Sequence, residues 1–327
     1  MNLGFWGKLK RPIVGLAPMD GVTDAPMRYI TAKYGRPDVM FTEFVSADGL
    51  KRVTGGNKLS LASRNSLLRH LRFDESERPV VAQLFGGEPE SFFEVAKLIV
   101  KMGFDGVDIN MGCPAKKVAG RGEGAGLIKN HELAGEIIAA VKKGVEGKIP
   151  VSVKTRIGFE KADPEWWKFL ATQDLAAVTI HGRTFKQLYQ GEADWEAIGE
   201  AGTLIKQSGA VFLGSGDISS RQQAVVSCQK YGVDGALIGR GAMGNPWIFK
   251  KLKNSKTQEL KTEEKLSIAV EHARKFEEVF PNDRFFIMRK HLSWYARGFD
   301  GAADLRQKLV LCNSADEVEA IVSRFLE

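Results

Sequence analysis

The residues with the clearest chemical potential lie in one short turn, where Cys113 stands between Gly112 and Pro114. The turn follows a short apolar run that ends at Asn110, and apolar runs of this length bounded by Gly and Pro are typical of buried strands. Because Gly112 frees the backbone and Pro114 stiffens it, the thiol is held just past a strand end. This placement suits a thiol that acts on a substrate, whereas an isolated cysteine is more often a packing residue.

Polar and basic side chains also follow the ends of the other predicted strands. A single polar residue at a strand end is often incidental, but here seven of the eight predicted strands have a polar or basic residue at or just after the end. Because the carboxyl ends of parallel strands meet at one edge of a sheet or barrel, these side chains are expected to form one large site. They are Asp20, Gln83, Asn110, Lys154, Arg156, His181, Arg183, Asp217 and Arg240.

These side chains need a scaffold of repeated strand–helix units, and the sequence contains that repeat. The predicted strands are Ile13–Ala17, Val39–Thr42, Val80–Leu84, Gly106–Asn110, Val151–Thr155, Ala177–His181, Val211–Gly214 and Gly235–Ile238. Amphipathic helical patterns lie between them, for example Glu90–Met102, His131–Val145 and Ser219–Tyr231. Eight such units predict a TIM (β/α)8 barrel. A doubly wound sheet is the alternative, but it seldom needs eight units, and no GxGxxG motif follows the first strand.

The loops after the last two predicted strands are rich in glycine. They contain Gly214, Gly216, Gly239 and Gly241. In a TIM barrel these two loops commonly hold a phosphate, because backbone N–H groups can close around it. Arg240 can add a charge-assisted hydrogen bond. The sequence therefore predicts a phosphorylated cofactor or substrate.

The pattern changes after Phe249, where the barrel repeat ends. Residues 250–265 are highly charged and are predicted to be a linker that runs into a helix. The segments Leu266–Phe280, Phe285–Tyr295 and Asp316–Leu326 have helical patterns. We therefore predict a barrel domain over residues 1–250 and a small helical domain over residues 251–327.

Composition and charge narrow the classes of function. The 327 residues carry a formal net charge of +7, which favours a polyanionic partner such as nucleic acid. No uncharged apolar stretch has the length of a membrane span and no secretory signal core follows the N-terminus, so we expect a cytoplasmic protein. Cys113, Cys228 and Cys312 are too widely spaced for a disulfide framework, zinc finger or iron–sulfur cluster. No His or carboxylate motif has metal-ligand spacing, so no metal is expected.

These segments together resemble the tRNA-dihydrouridine synthases, flavin enzymes that reduce specific uridines of tRNA, and above all their bacterial branch. The resemblance spans nearly the whole chain through Leu16–Asp24, Gln83–Gly87, Asp108–Lys117, Val153–Gly158, His181–Thr184, Gly214–Asp217, Gly239–Trp247 and Arg289–Tyr295. Two positions depart from the family pattern. Ser215 stands where the family often has Asn, and Glu123 stands where relatives usually carry a small residue.

The resemblance implies FMN at the barrel mouth, NADPH as the reductant and tRNA as the substrate, and we expect a monomer. It implies that FMN is held by Pro18, Met19, Asp20, Gln83, Lys154, His181, Ser215, Gly216, Asp217, Gly239 and Arg240. Asn110 and Arg156 are expected to hold the uracil of an extruded uridine. Lys116, Lys117, Arg121 and Arg183 are expected to bind RNA phosphates.

Within this resemblance Cys113 is expected to be the catalytic acid. The reaction adds a hydride to C6 of uracil and a proton to C5, so it needs an acid that is still protonated near pH 7. A thiol with an ordinary pKa of about 8.5 meets that need, whereas an ordinary carboxylic acid would already be ionised.

Two other functions remain open at this stage. One is an FMN barrel that acts on free pyrimidines, which would share the fold and flavin but would not account for the helical tail or the basic excess. The other is a non-catalytic RNA-binding barrel, which would not account for Cys113, Lys154 and Gln83.

Overall fold

Eight parallel strands close into a barrel in the order β1-β2-β3-β4-β5-β6-β7-β8, and β1 pairs with both β2 and β8. The structure is a computed structural model that describes residues 1–54, 66–251 and 260–327. The strands are β1 Ile13–Leu16, β2 Met40–Ser46, β3 Val80–Phe85, β4 Gly106–Met111, β5 Val151–Arg156, β6 Ala177–His181, β7 Val211–Ser215 and β8 Gly235–Ile238. The predicted TIM barrel is confirmed, and the doubly wound sheet is excluded.

Helices surround the barrel and form the tail. Around the barrel lie α1 Ala25–Tyr34, α2 Ala47–Thr54, α3 Pro89–Lys101, α4 Lys116–Ala119, α5 His131–Val145, α6 Pro164–Ala171, α7 Trp195–Ile205 and α8 Arg221–Tyr231. The tail contains α9 Thr262–Val279, α10 Arg289–Tyr295, α11 Ala302–Leu309 and α12 Ala315–Leu326. Short 3-10 helices lie at Gly4–Lys8, Arg69–Leu71, Glu75–Glu77, Gly124–Lys129, Lys206–Ser208, Arg240–Ala242, Pro246–Phe249 and Phe285–Ile287. No helix in the described ranges is long and apolar enough to span a membrane.

Three aspartates hold the strands together at the bottom of the barrel, opposite the predicted site. Each lies just before an even-numbered strand, and its carboxylate accepts a hydrogen bond from a backbone N–H near the start of the preceding strand. The pairs are Asp38 with Val14 at 2.9 Å, Asp105 with Val80 at 2.8 Å and Asp234 with Phe212 at 2.9 Å. These bonds stabilise the strand register while leaving the other end of the barrel for chemistry.

Three sequence predictions differ from the structure by more than two residues at a boundary. The second strand was expected to end at Thr42, but β2 continues to Ser46, because the charged Glu43 is buried against His70 instead of ending the strand. The linker prediction is wrong for residues 262–265, which begin α9, since the Glu264 side chain caps the backbone N–H of Lys261. Residues 252–259 of that linker, including Lys253, lie outside the described residues.

The helix predicted over Phe285–Tyr295 is a third difference. This segment forms a 3-10 turn at Phe285–Ile287 and then α10, which begins at Arg289. The amphipathic pattern is satisfied by both pieces, because Phe285 and Leu292 are buried in the same apolar cluster.

The tail packs on the helix that follows the first barrel strand. Ala25 and Ile30 of α1 are buried in one apolar cluster with Leu266 and Ala269 of α9. A salt bridge of 2.7 Å from Lys33 Nζ to Glu271 joins the same two helices at the surface. The division into residues 1–250 and 251–327 stays a prediction, and α1 contributes to the apolar core of the tail.

A fully buried ion pair attaches the 69–78 segment to α1. Arg28 Nε lies 2.6 Å from Glu77 Oε2, and both side chains have 0% exposure. Arg28 also donates to the carbonyl oxygen of Thr23 at 2.6 Å. Because removing one partner would leave an uncompensated charge in the core, the pair constrains this junction.

We expect Glu77→Leu to lower the free energy of unfolding by about 3 kcal/mol, because Arg28 would remain buried without a counter-ion. Urea unfolding measures the change. The double variant Arg28→Met with Glu77→Leu is the control, and most of the lost stability should return in it. A Glu77→Leu protein as stable as the wild type would contradict this account.

Candidate active site

A cavity of about 860 Å³ opens at the carboxyl ends of the barrel strands. Most of the predicted site residues line it, although they come from seven different strand ends or loops. Those residues are Pro18, Met19, Asp20, Gln83, Asn110, Cys113, Lys154, Arg156, His181, Ser215, Gly216, Asp217, Gly239 and Arg240. The predicted residues that do not line it are Lys116, Lys117, Arg121 and Arg183.

The side chain of Asn110 holds the turn that carries Cys113. Its Oδ1 accepts the backbone N–H of Cys113 at 2.8 Å and that of Gly112 at 3.0 Å. The Cys113 side chain faces the cavity with only 8% exposure, and burial raises the pKa of the thiol. The thiol is therefore protonated at neutral pH. Because Asn110 uses its oxygen on the turn, only its amide nitrogen could reach a ligand, and its contact with a base stays a prediction.

A buried chain of hydrogen bonds lies behind Asn110. Asn110 Nδ2 donates to Gln83 Oε1 at 3.0 Å, and Gln83 Nε2 donates to Asp108 Oδ2 at 2.7 Å. Ser152 Oγ donates to the other oxygen of Asp108 at 2.6 Å. Burial raises the pKa of Asp108 to about 6. Sequence reasoning missed Asp108, although its spacing of two residues from Asn110 on a strand places both side chains on the same face.

Two cations, the buried Arg156 and the partly buried Lys154, make the cavity electropositive. Burial, followed by the nearby charge of Arg156, lowers the pKa of Lys154 to about 8. Burial lowers the pKa of Arg156 to about 10. Arg156 donates to the carbonyl oxygens of Gly112 at 2.8 Å and Thr184 at 2.9 Å, so it joins the loops that follow β4 and β6.

Asp217 brings two arginines together at the glycine-rich loops. Its carboxylate lies 2.6 Å from Arg183 Nη2 and 2.8 Å from Arg240 Nη2. Arg240 is exposed at the mouth, whereas Arg183 is only 2% exposed and lies inside the protein. The predicted contact of Arg183 with an RNA phosphate stays a prediction, and the structure places its guanidinium on Asp217.

His181 presents an unsatisfied polar atom at the cavity. Its ring lines the cavity, and its buried Nδ1 has no hydrogen-bond partner in the described part of the chain. Burial, followed by the charges of Lys154 and Arg156, holds the pKa of His181 well below its usual range. The imidazole is therefore neutral at pH 7, and Nδ1 remains able to bond to a ligand.

Three of the four residues predicted to bind RNA phosphates lie on the loop after β4. Lys116 and Lys117 are exposed at the start of α4. Arg121 is 62% exposed, and its guanidinium pairs with Glu123 at 2.8 Å. Glu123, the acid that departs from the family pattern, thus partly neutralises one of the three cations expected to meet RNA.

Sequence reasoning missed Tyr189, which lines the cavity from the loop after β6. Its ring is 61% exposed and lies 5.6 Å from the guanidinium of Arg240 and 6.0 Å from that of Arg156. Strand-end reasoning could not find it, because it lies eight positions past His181 in an irregular loop. Within the described residues, no group of three or more His, Cys, Asp or Glu could hold a metal ion.

The family profile described as Dihydrouridine synthase (Dus) matches residues 15–327. This chain belongs to the dihydrouridine synthase family. It is 37% identical to a probable tRNA-dihydrouridine synthase of Staphylococcus aureus (strain COL), over 99% of this chain and 96% of that protein. It is 38% identical to probable tRNA-dihydrouridine synthase 2 of Bacillus subtilis (strain 168), over 99% of this chain and 97% of that protein.

Among solved structures, the chain is similar to histamine dehydrogenase from Rhizobium sp. 4-9. The TM-score is 0.53 at 13% identity, covering 80% of this chain and 48% of that one. A 2-naphthoyl-CoA reductase complex with 2-naphthoyl-CoA gives a TM-score of 0.53 at 10% identity, covering 73% of this chain and 49% of that one. At these identities the likeness concerns the barrel fold alone.

We expect Lys154→Met to raise the free energy of unfolding at pH 7 by about 2 kcal/mol, because folding buries a charge that the unfolded chain keeps in water. Its pKa is lower in the folded protein, so this cost is full below about pH 8 and disappears as the pH rises toward 10.5. Chemical unfolding at pH 7 and pH 10 measures both effects.

The control for this prediction is Lys97→Met, which alters an exposed lysine on α3 and should change stability by less than about 0.5 kcal/mol. Equal stability of wild type and Lys154→Met at pH 7 would show that Lys154 carries no burial cost.

Proposed function

We propose that this protein is an FMN-dependent tRNA-dihydrouridine synthase that reduces uridines of tRNA to 5,6-dihydrouridine with NADPH. The observation that carries the proposal is a buried, protonated Cys113 facing an electropositive barrel-mouth cavity. The family membership supports it, because the similar proteins of Staphylococcus aureus and Bacillus subtilis are named probable tRNA-dihydrouridine synthases. We propose that it acts in the cytoplasm as a monomer.

The residues of the cavity suit FMN in both shape and charge. Pro18, Met19 and Leu237 supply an apolar wall for a flat ring system. The cations of the cavity and the glycine-rich loops at 214–217 and 239–241 suit the phosphate. The unpartnered Nδ1 of His181 supplies a polar atom that a bound ligand would satisfy.

In this proposal FMN would be held by the cavity-lining residues that were predicted from the sequence. They are Pro18, Met19, Asp20, Gln83, Lys154, His181, Ser215, Gly216, Asp217, Gly239 and Arg240. Ser215 offers a hydroxyl where the family often offers an amide, so it can make fewer hydrogen bonds to the phosphate or ribityl chain.

The chain's own residues position the uracil and supply the proton. The chemistry that FMN would contribute when bound is hydride donation to C6, with NADPH as the source of the electrons. Cys113 holds its proton at Sγ, because burial raises the thiol pKa, and it delivers that proton to C5. The remaining N–H groups of Asn110 and Arg156 would hold the uracil edge, while protonated Lys154 stabilises negative charge in the cavity.

The RNA substrate is supported by the surface around the cavity. A uridine in folded tRNA must be extruded from its stack to reach a cavity inside a barrel. The exposed Lys116 and Lys117 lie on the loop after Cys113, where they could bind phosphates beside the extruded nucleotide. The net charge of +7 favours such binding over the whole surface.

We expect Cys113→Ser to reduce turnover by about 10²-fold or more, because a serine hydroxyl is a far weaker acid than a thiol. FMN and tRNA binding should be retained. Dihydrouridine formation in transcribed tRNA measures turnover, the visible absorbance measures flavin, and a gel shift measures tRNA binding.

Cys228→Ala is the matched control, because it removes a buried thiol from α8, outside the cavity. Wild-type turnover in Cys113→Ala would overturn the assignment of the acid. Reduction of free uracil in place of tRNA would instead favour a barrel that acts on free pyrimidines.

We also expect the affinity for tRNA to fall steeply with salt, because phosphate contacts release counter-ions. Lys116→Gln and Lys117→Gln should each reduce the slope of log affinity against log salt by about 1. Lys168→Gln, which alters an exposed lysine on α6, should leave the slope unchanged. Affinity that does not respond to salt would contradict the proposed RNA contacts.

A further inference from the structure

We propose that Asp108 is a positioning residue that fixes both the Cys113 turn and the hydrogen-bond donor that Gln83 presents to the cavity. Asp108 has 0% exposure and does not line the cavity, so it acts through its neighbours. The catalytic part of this inference rests on the proposed function, whereas the positioning part depends only on the observed hydrogen bonds.

The series of hydrogen bonds from Asp108 to Cys113 can have only one donor–acceptor direction. A carboxylate oxygen accepts, so Gln83 must turn its amide nitrogen toward Asp108 and its oxygen toward Asn110. Asn110 must then donate from Nδ2, which leaves its oxygen for the turn. At the far end, the N–H groups of Gly112 and Cys113 can only donate, and they require that same oxygen.

The Asp108 carboxylate at one end and the backbone N–H groups of the turn at the other therefore impose one orientation on the side-chain amides of Gln83 and Asn110. Without an acceptor at position 108, Gln83 could rotate its amide by half a turn and place its nitrogen against the nitrogen of Asn110. Asn110 would then be free to rotate as well, and the N–H of Cys113 would lose its partner. Asp108 removes this alternative because its carboxylate cannot donate.

The same arrangement determines what Gln83 offers to a ligand. Gln83 Nε2 uses one N–H on Asp108, and the second N–H is the donor that remains for the cavity. A carbonyl oxygen or an unprotonated ring nitrogen of a ligand could accept that N–H. Asp108 thereby fixes which end of the Gln83 amide carries this donor.

The direct test is amide hydrogen exchange of the segment that contains Gly112 and Cys113, measured by mass spectrometry on the purified protein. We expect Asp108→Leu to raise the exchange rate of this segment about tenfold or more, the ratio that follows from losing one buried hydrogen bond. Asp108→Asn can keep an oxygen toward Gln83, so it should restore exchange to within about threefold of the wild type.

The matched control is Asp105→Asn, which alters an aspartate three positions earlier, at the opposite end of β4. It should leave the exchange of the Cys113 segment unchanged. If Asp108→Leu does not fold, Gln83→Leu breaks the next link and should give the same increase. In the double variant Asp108→Leu with Gln83→Leu, exchange should rise no further than in either single variant, because both changes interrupt the same series of hydrogen bonds.

Turnover separates this inference from the proposed function. Asp108→Leu should lower kcat about tenfold or more and change the KM for tRNA by less than about threefold, because the turn is displaced while the phosphate contacts of Lys116 and Lys117 remain. Unchanged exchange in folded Asp108→Leu and Gln83→Leu would overturn the inference even if the wild type reduces uridine. A wild type that does not reduce uridine, with the expected exchange pattern, would overturn the proposed function and leave the inference intact.

Discussion

Strand β1 pairs with β8, and this pairing turns eight consecutive strands into a closed ring that fixes the position of every strand end. The contact is close, because a Cβ at Gly235 of β8 would lie 2.5 Å from the carbonyl oxygen of Ile13 of β1. Only glycine permits this approach. Closure then brings Met19, Cys113 and Arg240, which are far apart in sequence, to one cavity.

Positive charges lie close together at the barrel mouth, and the rest of the fold must supply the free energy that keeps them there. Arg156 is buried and Lys154 is partly buried, and desolvation lowers their pKa values to about 10 and about 8. Keeping both groups charged therefore costs folding free energy. The apolar barrel core offsets that cost. The result is a cavity in which the Cys113 thiol stays protonated beside fixed positive charges. This combination suits proton donation to a ligand in the cavity.

Much of this arrangement could be predicted from strand ends alone, and the rest could not, for identifiable physical reasons. Gln83, Lys154 and His181 were found because residues near the carboxyl ends of parallel strands lie at the mouth of a barrel. Tyr189 was missed because its loop has no periodicity. The second strand was predicted to end too early, at Thr42, because nothing nearby in the sequence indicates that Glu43 would pair with His70.

Local sequence patterns were enough to predict the eightfold repeat, the position of Cys113 in a tight turn and the family resemblance. The hydrogen-bond partners of the polar groups could be read only from the folded barrel. In the structure Arg183 pairs with Asp217, and Nδ1 of His181 has no partner in the described residues. The side-chain oxygen of Asn110 accepts a hydrogen bond from the Cys113 turn. Hydrogen-bond partners depend on the positions of neighbouring strands, and those positions exist only once the barrel has closed.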